Sequence, residues 1–510
     1  MDIDYLGDKK VAVLGLGMEG VALAQFLVGK VNKITLLDRL SKEKLLGRAG
    51  EEQNPELAKI LSDETSYDFL LGDDHMDSLA DFDIVFRTPG IPYLNSKIQQ
   101  AKDLGVEISS QIKLFFDLCP ARIIGVTGTK GKGTTASLIY EILKKQSGTQ
   151  HPQNRFTEGT QKNSNNTAVK QYDSVFLAGN IGKPAITLLD KIKSDDIVIL
   201  ELSSFQLQDM EKSPHIAVIT NLSVDHLDYH KDKEEYRNAK KSIFKYQSEN
   251  DFLIVNSKID KSYYQESKTK QVVFSGLGEN RGQARVIEGE GNGCEVYIDI
   301  DNKQERVVSS DEIKLVGEHN MENIAVASIV ANIIGVEIDD IREAAKNFEG
   351  LPHRLELVAE IEGVKYYNDS FATNPESTMA AINAFTDNKI LILGGSSKGA
   401  DFSELASKIS SNNITAVILI GDESSNIEES LNSKKFPGKI EKTRDLQQAI
   451  DIISKLAKSG DVVIFSPACA SFDMFKNYKD RGRKFKNAVF ELAKSEKPCL
   501  PVGRRKAKND

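Results

Sequence analysis

Cysteine is scarce in this sequence. Cys119, Cys294, Cys469 and Cys499 are the only four in 510 residues, and no two stand in a C-x-x-C spacing. Neither a disulfide framework nor a cysteine zinc site is expected, and a reducing cytosol suits the composition. Long apolar runs are absent as well. No stretch approaches the ~20 residues that a membrane helix needs, and the opening "MDIDYLGDKK" carries no signal core. The expected location is the cytoplasm, with no membrane partner. Positive charge is not in excess either. The formal net charge is −9, which argues against a nucleic-acid surface as the main function. The basic end "GRRKAK" (503–508) reads as a solvated tail, and no internal repeat is visible.

What is present is a chain with 40% hydrophobic and 28% charged residues, long enough for about three domains. The first begins "KKVAVLGLGMEGVALAQFLV" (9–28), a strand, then Gly15, Gly17 and Gly20 in G-x-G-x-x-G order, then a helix. A second strand, "ITLLD", ends at Asp38, about 20 residues beyond the glycines. Taken alone, this is the fingerprint of an NAD-dependent enzyme. A further strand runs into the loop of "FDIVFRTPGIP" (82–92), and the domain is expected to span 1–112.

A second glycine-rich turn lies in "IIGVTGTKGKGTTASL" (123–138). It departs from the usual phosphate loop, G-x-x-x-x-G-K-[ST]. Val126 stands where the first glycine belongs, and Gly133 where Ser or Thr belongs. The physical parts remain. "RIIGVT" (122–127) reads as a buried strand and "TTASLIYEILKKQ" (134–146) as a helix, with Gly128, Gly131 and Gly133 between them. A helix N-terminus offers bare amides to an anion. Lys132 adds a charge, and Thr134 or Thr135 a hydroxyl for Mg²⁺. The plainer alternative is a glycine-rich turn with an exposed lysine.

The polar stretch 146–171 has almost no aliphatic residues and reads as a mobile surface insertion. Strands follow in "SVFLAGN", "DIVILELSS", "IAVITNLS" and "DFLIVNS", an antiparallel ribbon is expected over 284–316, and the helix "MENIAVASIVANIIG" closes a domain of 113–350. In 351–510, "KILILGG", "AVILIG" and "DVVIFSPA" are buried-strand candidates of another α/β sheet, expected to be parallel. Glu201 ends an apolar strand, where such sheets face their ligand crevice. Asp225, His226 and Asp228 cluster at the end of another. Lys240 and Lys241 lie in a helical run, and the pattern alone makes them a solvated face.

Ten segments now fall in order: "GVTGTKGKGTT", "GNIG", "ELSSFQL", "NLSVDHLDYH", "YRNAKK", "GEHNMENIAVA", "GLPHRLE", "YNDSFATNPEST", "GGSSKGADF" and "SPACASFDMFKNYKDRGRKF". Together they resemble the Mur ligases of peptidoglycan synthesis, over all of the chain except 146–171. The "GGSSKGADF" and "SPACASFDMF" pair points to the branch that adds D-glutamate. The resemblance implies an α/β protein with a Rossmann-like first domain, a P-loop ATPase-like central domain and a Rossmann-like third domain.

It also implies an ATP-dependent ligase joining D-glutamate to UDP-N-acetylmuramoyl-L-alanine through an acyl phosphate, with two Mg²⁺ ions and a monomeric chain. The first domain would then hold UDP, not NAD. Gly15, Leu16, Gly17, Asp38, Arg39, Gly90 and Asn180 would contact the UDP-sugar. Gly128, Thr129, Lys130, Gly131, Lys132, Gly133, Thr134, Asn320, Asn323, Arg354 and Asp369 would bind ATP. Lys132, Glu201, His226 and Lys240 would be catalytic, with Thr134, Glu201, His226 and a carbamylated Lys240, formed with CO₂, at the metals. Thr373, Lys398, Ser471, Phe472 and Tyr478 would hold D-glutamate.

Three positions depart from the family pattern: Lys130 stands for a common Asn, Gly133 for Ser or Thr, and Phe371 for a common lysine. The alternatives are another Mur-type or folylpolyglutamate-type amide ligase, or an NAD-dependent oxidoreductase.

Overall fold

The structure is a computed structural model that describes residues 3–51, 54–145, 172–223, 229–279, 281–289, 293–397 and 399–495. The 146–171 stretch, Asp225, His226, Asp228 and Lys398 lie outside the described residues. The chain forms two compact units, Met1–Phe348 and Glu349–Asp510.

Among the described residues the first unit holds two sheets. In one, Val11–Leu14 is central, flanked by Ile34–Asp38 and Ile84–Arg87, with Tyr67–Leu71 and Glu107–Ser109 outermost, all parallel. Every residue of Val11–Leu14 is buried, because helices cover both faces of a parallel sheet. The other sheet has nine strands. Its Arg122–Thr127 strand runs parallel between Ile197–Glu201 and Ile216–Ile219. At one edge Ala284–Glu288, Cys294–Ile300 and Lys303–Ser309 form the expected antiparallel ribbon.

These two sheets are joined through a buried arginine. Arg87 Nη2 donates to Asp209 Oδ1 (2.7 Å) and the Phe205 carbonyl (3.2 Å), and Nη1 to the Ile91 carbonyl (2.7 Å) and Tyr229 Oη (3.2 Å). The ion pair and the carbonyls offset the desolvation of the guanidinium, although Arg87 Nε and Asp209 Oδ2 have no hydrogen-bond partner among the described residues.

The second unit carries a six-stranded sheet. Four of its pairings are parallel, as expected. The edge strand Glu356–Ile361 is the exception and runs antiparallel to Val364–Asn368. Glu362 (φ 50°) and Gly363 (φ 78°) form a two-residue turn, and two consecutive positive φ values are what a tight hairpin needs. With one sheet for each expected domain, the three-domain α/β class read from the sequence is the observed one, the first two domains together making the first compact unit.

Candidate functional site

The phosphate loop sits at the end of the central strand Arg122–Thr127, and its helix is Lys132–Lys144, two residues longer at the front than the sequence pattern suggests. Gly131 caps it in the left-handed region (φ 80°). A Cβ at Gly128 would lie 1.9 Å from Thr220 Oγ1, and one at Gly131 2.6 Å from Asn323 Oδ1. Both positions therefore require glycine. The loop is clamped from behind. Asn221 Oδ1 accepts the Thr129 and Lys130 amides (3.0 and 2.8 Å), and Thr220 Oγ1 donates to the Lys130 carbonyl (2.6 Å). The first helical bond is Thr135 N to Gly131 O at 2.9 Å. The Gly133 and Thr134 amides precede it and face an incoming anion.

Lys132 Nζ lies 3.4 Å from the Thr129 carbonyl and 4.0 Å from Glu201 Oε1. Glu201 is buried at the end of Ile197–Glu201 and accepts a bond from Asn180 Nδ2 (3.2 Å). Lys132, Glu201 and Asn180 are therefore brought together. Of the two candidate hydroxyls, that of buried Thr135 is bonded to Asn323 Oδ1 (3.1 Å), which leaves the half-buried Thr134 for a metal. Asn323 Nδ2 in turn donates to Asn320 Oδ1 (2.9 Å), so both asparagines brace the start of this helix.

The solvated-face reading of the two lysines is wrong for Lys240. It is 2% exposed, with Nζ 3.3 Å from both Thr127 Oγ1 and the Gly128 carbonyl. One residue further, a 100° turn of the helix Lys233–Lys245 carries Lys241 outward, where its Nζ lies 5.1 Å over the Tyr263 ring.

A second layer around this crevice gave no clear signal in the sequence. His230 Nδ1 meets Glu235 Oε2 at 2.5 Å and Nε2 meets Ser204 Oγ at 2.9 Å. Tyr236, edge-on to His230, has its hydroxyl 2.9 Å from Thr129 Oγ1. This network ties the helix bearing Lys240 to the segment after Glu201 and to the loop. A second histidine four residues after His226 was the available hint.

In the first sheet, Asp38 Oδ2 accepts the Leu16 amide (2.8 Å) and Oδ1 the Leu40 amide (3.0 Å). The carboxylate at the end of its strand thus engages both oxygens, one of them in holding the glycine turn. Gly17, Arg39 and Gly90 are exposed. Glu19, in the first turn of the following helix Met18–Leu27, is half-buried. It accepts Gln206 Nε2 (2.6 Å), and its other oxygen lies 3.3 Å from the Gln111 side-chain amide, which donates to it when that amide is turned over. Burial pushes its carboxyl up to about 7, against the opposing pull of Gln206 and Arg87.

In the second unit Asp369 is buried. It accepts the Leu355 amide (3.2 Å) and Ser466 Oγ (2.7 Å), and burial raises its carboxyl to about 7. Arg354 lies over the Phe371 ring, and Tyr478 meets that ring edge-on. Ser471 is buried, Thr373 half-buried, and Phe472 is 71% exposed with its amide on Ser396 Oγ (3.1 Å). Arg481 fixes this segment by donating to the Cys469 and Ala470 carbonyls (3.0 Å each) and to Ser370. It was not singled out in the sequence.

Three family models match in order: a Mur ligase MurD-like N-terminal domain over 9–110, a Mur ligase middle domain over 126–331, and a Mur ligase glutamate ligase domain over 353–469. A relative from Clostridium tetani is 39% identical over 96% of this chain and 98% of its own, and is named UDP-N-acetylmuramoylalanine–D-glutamate ligase. One from Acetivibrio thermocellus bears the same name at 39% identity, covering 94% and 96%. Among solved structures, the UDP-N-acetylmuramate-alanine ligase MurC of Thermotoga maritima superposes with TM-score 0.54 at 17% identity, covering 95% of this chain and 100% of that one. The MurF ligase of the same organism gives 0.54 at 16%, covering 96% and 97%. These two speak for the fold alone. Among the described residues no helix is long and apolar enough to cross a membrane. On the full-length identity and the three matched models, this chain belongs to the Mur ligase family.

Proposed function

We propose that the chain uses ATP to join D-glutamate to UDP-N-acetylmuramoyl-L-alanine, in the cytoplasm and as a monomer, with domains 1–112, 113–350 and 351–510. The observation that carries this reading is the 39% identity over 96% of the chain to a relative bearing that activity's name. The grouping of Lys132, Glu201 and Asn180 at the loop supports it.

The L-alanyl carboxylate attacks the γ-phosphorus of ATP, giving an acyl phosphate and ADP. The D-glutamate amine then attacks the acyl carbon, loses a proton, and the tetrahedral intermediate expels phosphate. Charge is the obstacle to the first step. Two like charges at ~4 Å repel by about 4 kcal/mol at an effective dielectric of 20. Lys132 and the amides at the helix start, those of Gly133 and Thr134, oppose that repulsion with fixed positive ends. Asn320 and Asn323 hold the helix start in place for them. Arg354 and Asp369 are assigned to ATP. The turn at Gly15, Leu16 and Gly17, with Asp38, Arg39, Gly90 and Asn180, is assigned to the UDP-sugar. Thr373, Lys398, Ser471, Phe472 and Tyr478 are assigned to D-glutamate.

Among the described residues no three His, Cys, Asp or Glu groups gather as a self-sufficient metal site. Mg²⁺ takes one or two protein oxygens and completes its shell with phosphates and water. Glu201 and Thr134 are hard oxygen donors fit for one ion, and His226 with Lys240 are assigned to a second. Bound Mg²⁺ would neutralise phosphate charge. Lys240 is proposed to act as a carbamate: its neutral amine adds CO₂ and releases one proton, replacing a cation with an anionic oxygen ligand. Its enclosure beneath the loop, unlike Lys241, supports the choice.

The test is ADP release by the purified protein with UDP-N-acetylmuramoyl-L-alanine and each candidate amino acid. Release dependent on D-glutamate alone is expected. Release with another amino acid, or none, overturns the reading.

A further inference from the structure

We propose that Phe371 is a positioning residue for Arg354, its ring a shelf that holds the guanidinium ready for a phosphate of ATP. The proposal rests on the ligase reading above and names a residue that reading leaves without a role. The guanidinium carbon of Arg354 lies 3.8 Å from the Phe371 ring centroid, within reach of a cation–π interaction. Phe371 is 39% exposed, so this ring is not a member of the core. Tyr478 stands edge-on to it at 5.0 Å and fixes its tilt.

The backbone on both sides of Arg354 is held in an unusual shape. His353 (φ 66°) and Leu355 (φ 43°) are both left-handed, a conformation that side chains disfavour and that marks functional turns. The turn is kept there by three bonds: Leu355 N to Asp369 Oδ1 (3.2 Å), His353 N to Glu356 Oε2 (2.9 Å) and Phe371 N to the His353 carbonyl (3.0 Å). The last of these stitches the shelf to the turn that carries the arginine.

Stacking uses the flat face of a guanidinium and leaves the N–H groups at its edge. That edge matches two phosphate oxygens at once. A long flexible side chain is thus fixed before the anion arrives. Phe371 stands where the family pattern has a common lysine, and the arginine's charge lies over that same position.

The test is a double-mutant cycle of wild type, Phe371→Leu, Arg354→Ala and the double variant, with Phe371→Tyr as rescue. ADP release gives kcat and the KM for each substrate. Phe371→Leu should lower kcat/KM for ATP about three- to ten-fold, with the KM values for UDP-sugar and D-glutamate unchanged. Phe371→Tyr keeps a π face and should behave as wild type. Arg354→Ala should lose more, and adding Phe371→Leu to it should lose nothing further. Additive losses, an equally impaired Phe371→Tyr, or an effect on the D-glutamate KM in place of ATP would each overturn the proposal. Calorimetric ATP binding on the same proteins reads the same cycle without an amino acid. If the wild type releases no ADP with D-glutamate, the ligase reading fails while the shelf is still judged by ATP affinity.

Discussion

Two glycine-rich strand–turn–helix junctions lie in the first compact unit, and they handle charge in opposite ways. At Gly15–Gly20 the first helical turn carries a carboxyl, Glu19, bonded to Gln206. At Gly128–Gly133 it carries an ammonium, Lys132, reaching toward Glu201. The glycines act alike at both. A Cβ at Gly20 would lie 1.9 Å from the Gly15 carbonyl oxygen, just as one at Gly128 would collide with Thr220. Glycine spacing therefore reports that a backbone must pass close to something. It does not report which anion the turn serves. That is decided by the side chains at the helix start and by what they are bonded to.

The largest expected effect separates the two turns by chemistry. Lys240→Ala should lower kcat by about 100-fold or more, the usual scale for removing a group that stabilises developing charge. Lys241→Ala should leave kcat within about two-fold. Lys240 sits beneath Gly128, whereas Lys241 covers Tyr263. Steady-state ADP release with both variants checks this. Equal losses would mean that the helix face, not the buried amine, is what matters.

The pair Lys240 and Lys241 also shows how much could be read beforehand. Strands with continuous β-branched runs, such as Ile197–Glu201 and Ile216–Ile219, were legible because a strand buried on both faces has no polar positions to hide it. The loop glycines were legible for steric reasons. Adjacent lysines in a helix were not, because burial depends on how that helix packs against the sheet. The Arg87–Asp209 pair joins residues 122 apart, and Asn221 reaches back 92 to Thr129. No local pattern marks either one. The antiparallel edge Glu356–Ile361 escaped because "EIEGVK" shows only one glycine at its turn.

The next effect tests whether the first turn tolerates negative charge. Glu19 has its folded-state carboxyl raised from 4.5 to about 7, mainly by burial. The folded protein therefore keeps a proton that the unfolded chain gives up between those values. Stability falls as pH rises through that window and levels off above about 7. At most about 3 kcal/mol is involved. Glu19→Gln cannot ionise and should escape this loss. Its thermal midpoint should match wild type near pH 4.5 and exceed it increasingly up to pH 7.5. A constant difference across that range would show that Glu19 is ionised throughout, and that the two turns differ less than their geometry suggests.

The smallest effect on stability should be the most specific for function, and it lies within one turn. Gly17 has ordinary extended backbone angles (φ −73°, ψ −173°), and a Cβ there would meet nothing within 4 Å. Gly20 is the opposite case, since its Cβ would overlap the Gly15 carbonyl. Gly20→Ala should therefore destabilise the first unit outright. Gly17→Ala should cost no more than about 1 kcal/mol, the difference between glycine and alanine as a helix cap. Nothing inside the protein requires glycine at position 17. If the UDP-sugar pyrophosphate rests on this turn, a methyl group there stands between the ligand and the amides that hold it. Gly17→Ala should then raise the KM for the UDP-sugar about ten-fold, one lost charge-assisted contact, with the KM for ATP unchanged. An unchanged UDP-sugar KM would remove the pyrophosphate from this turn, and with it the reason for likening the turn to the phosphate loop.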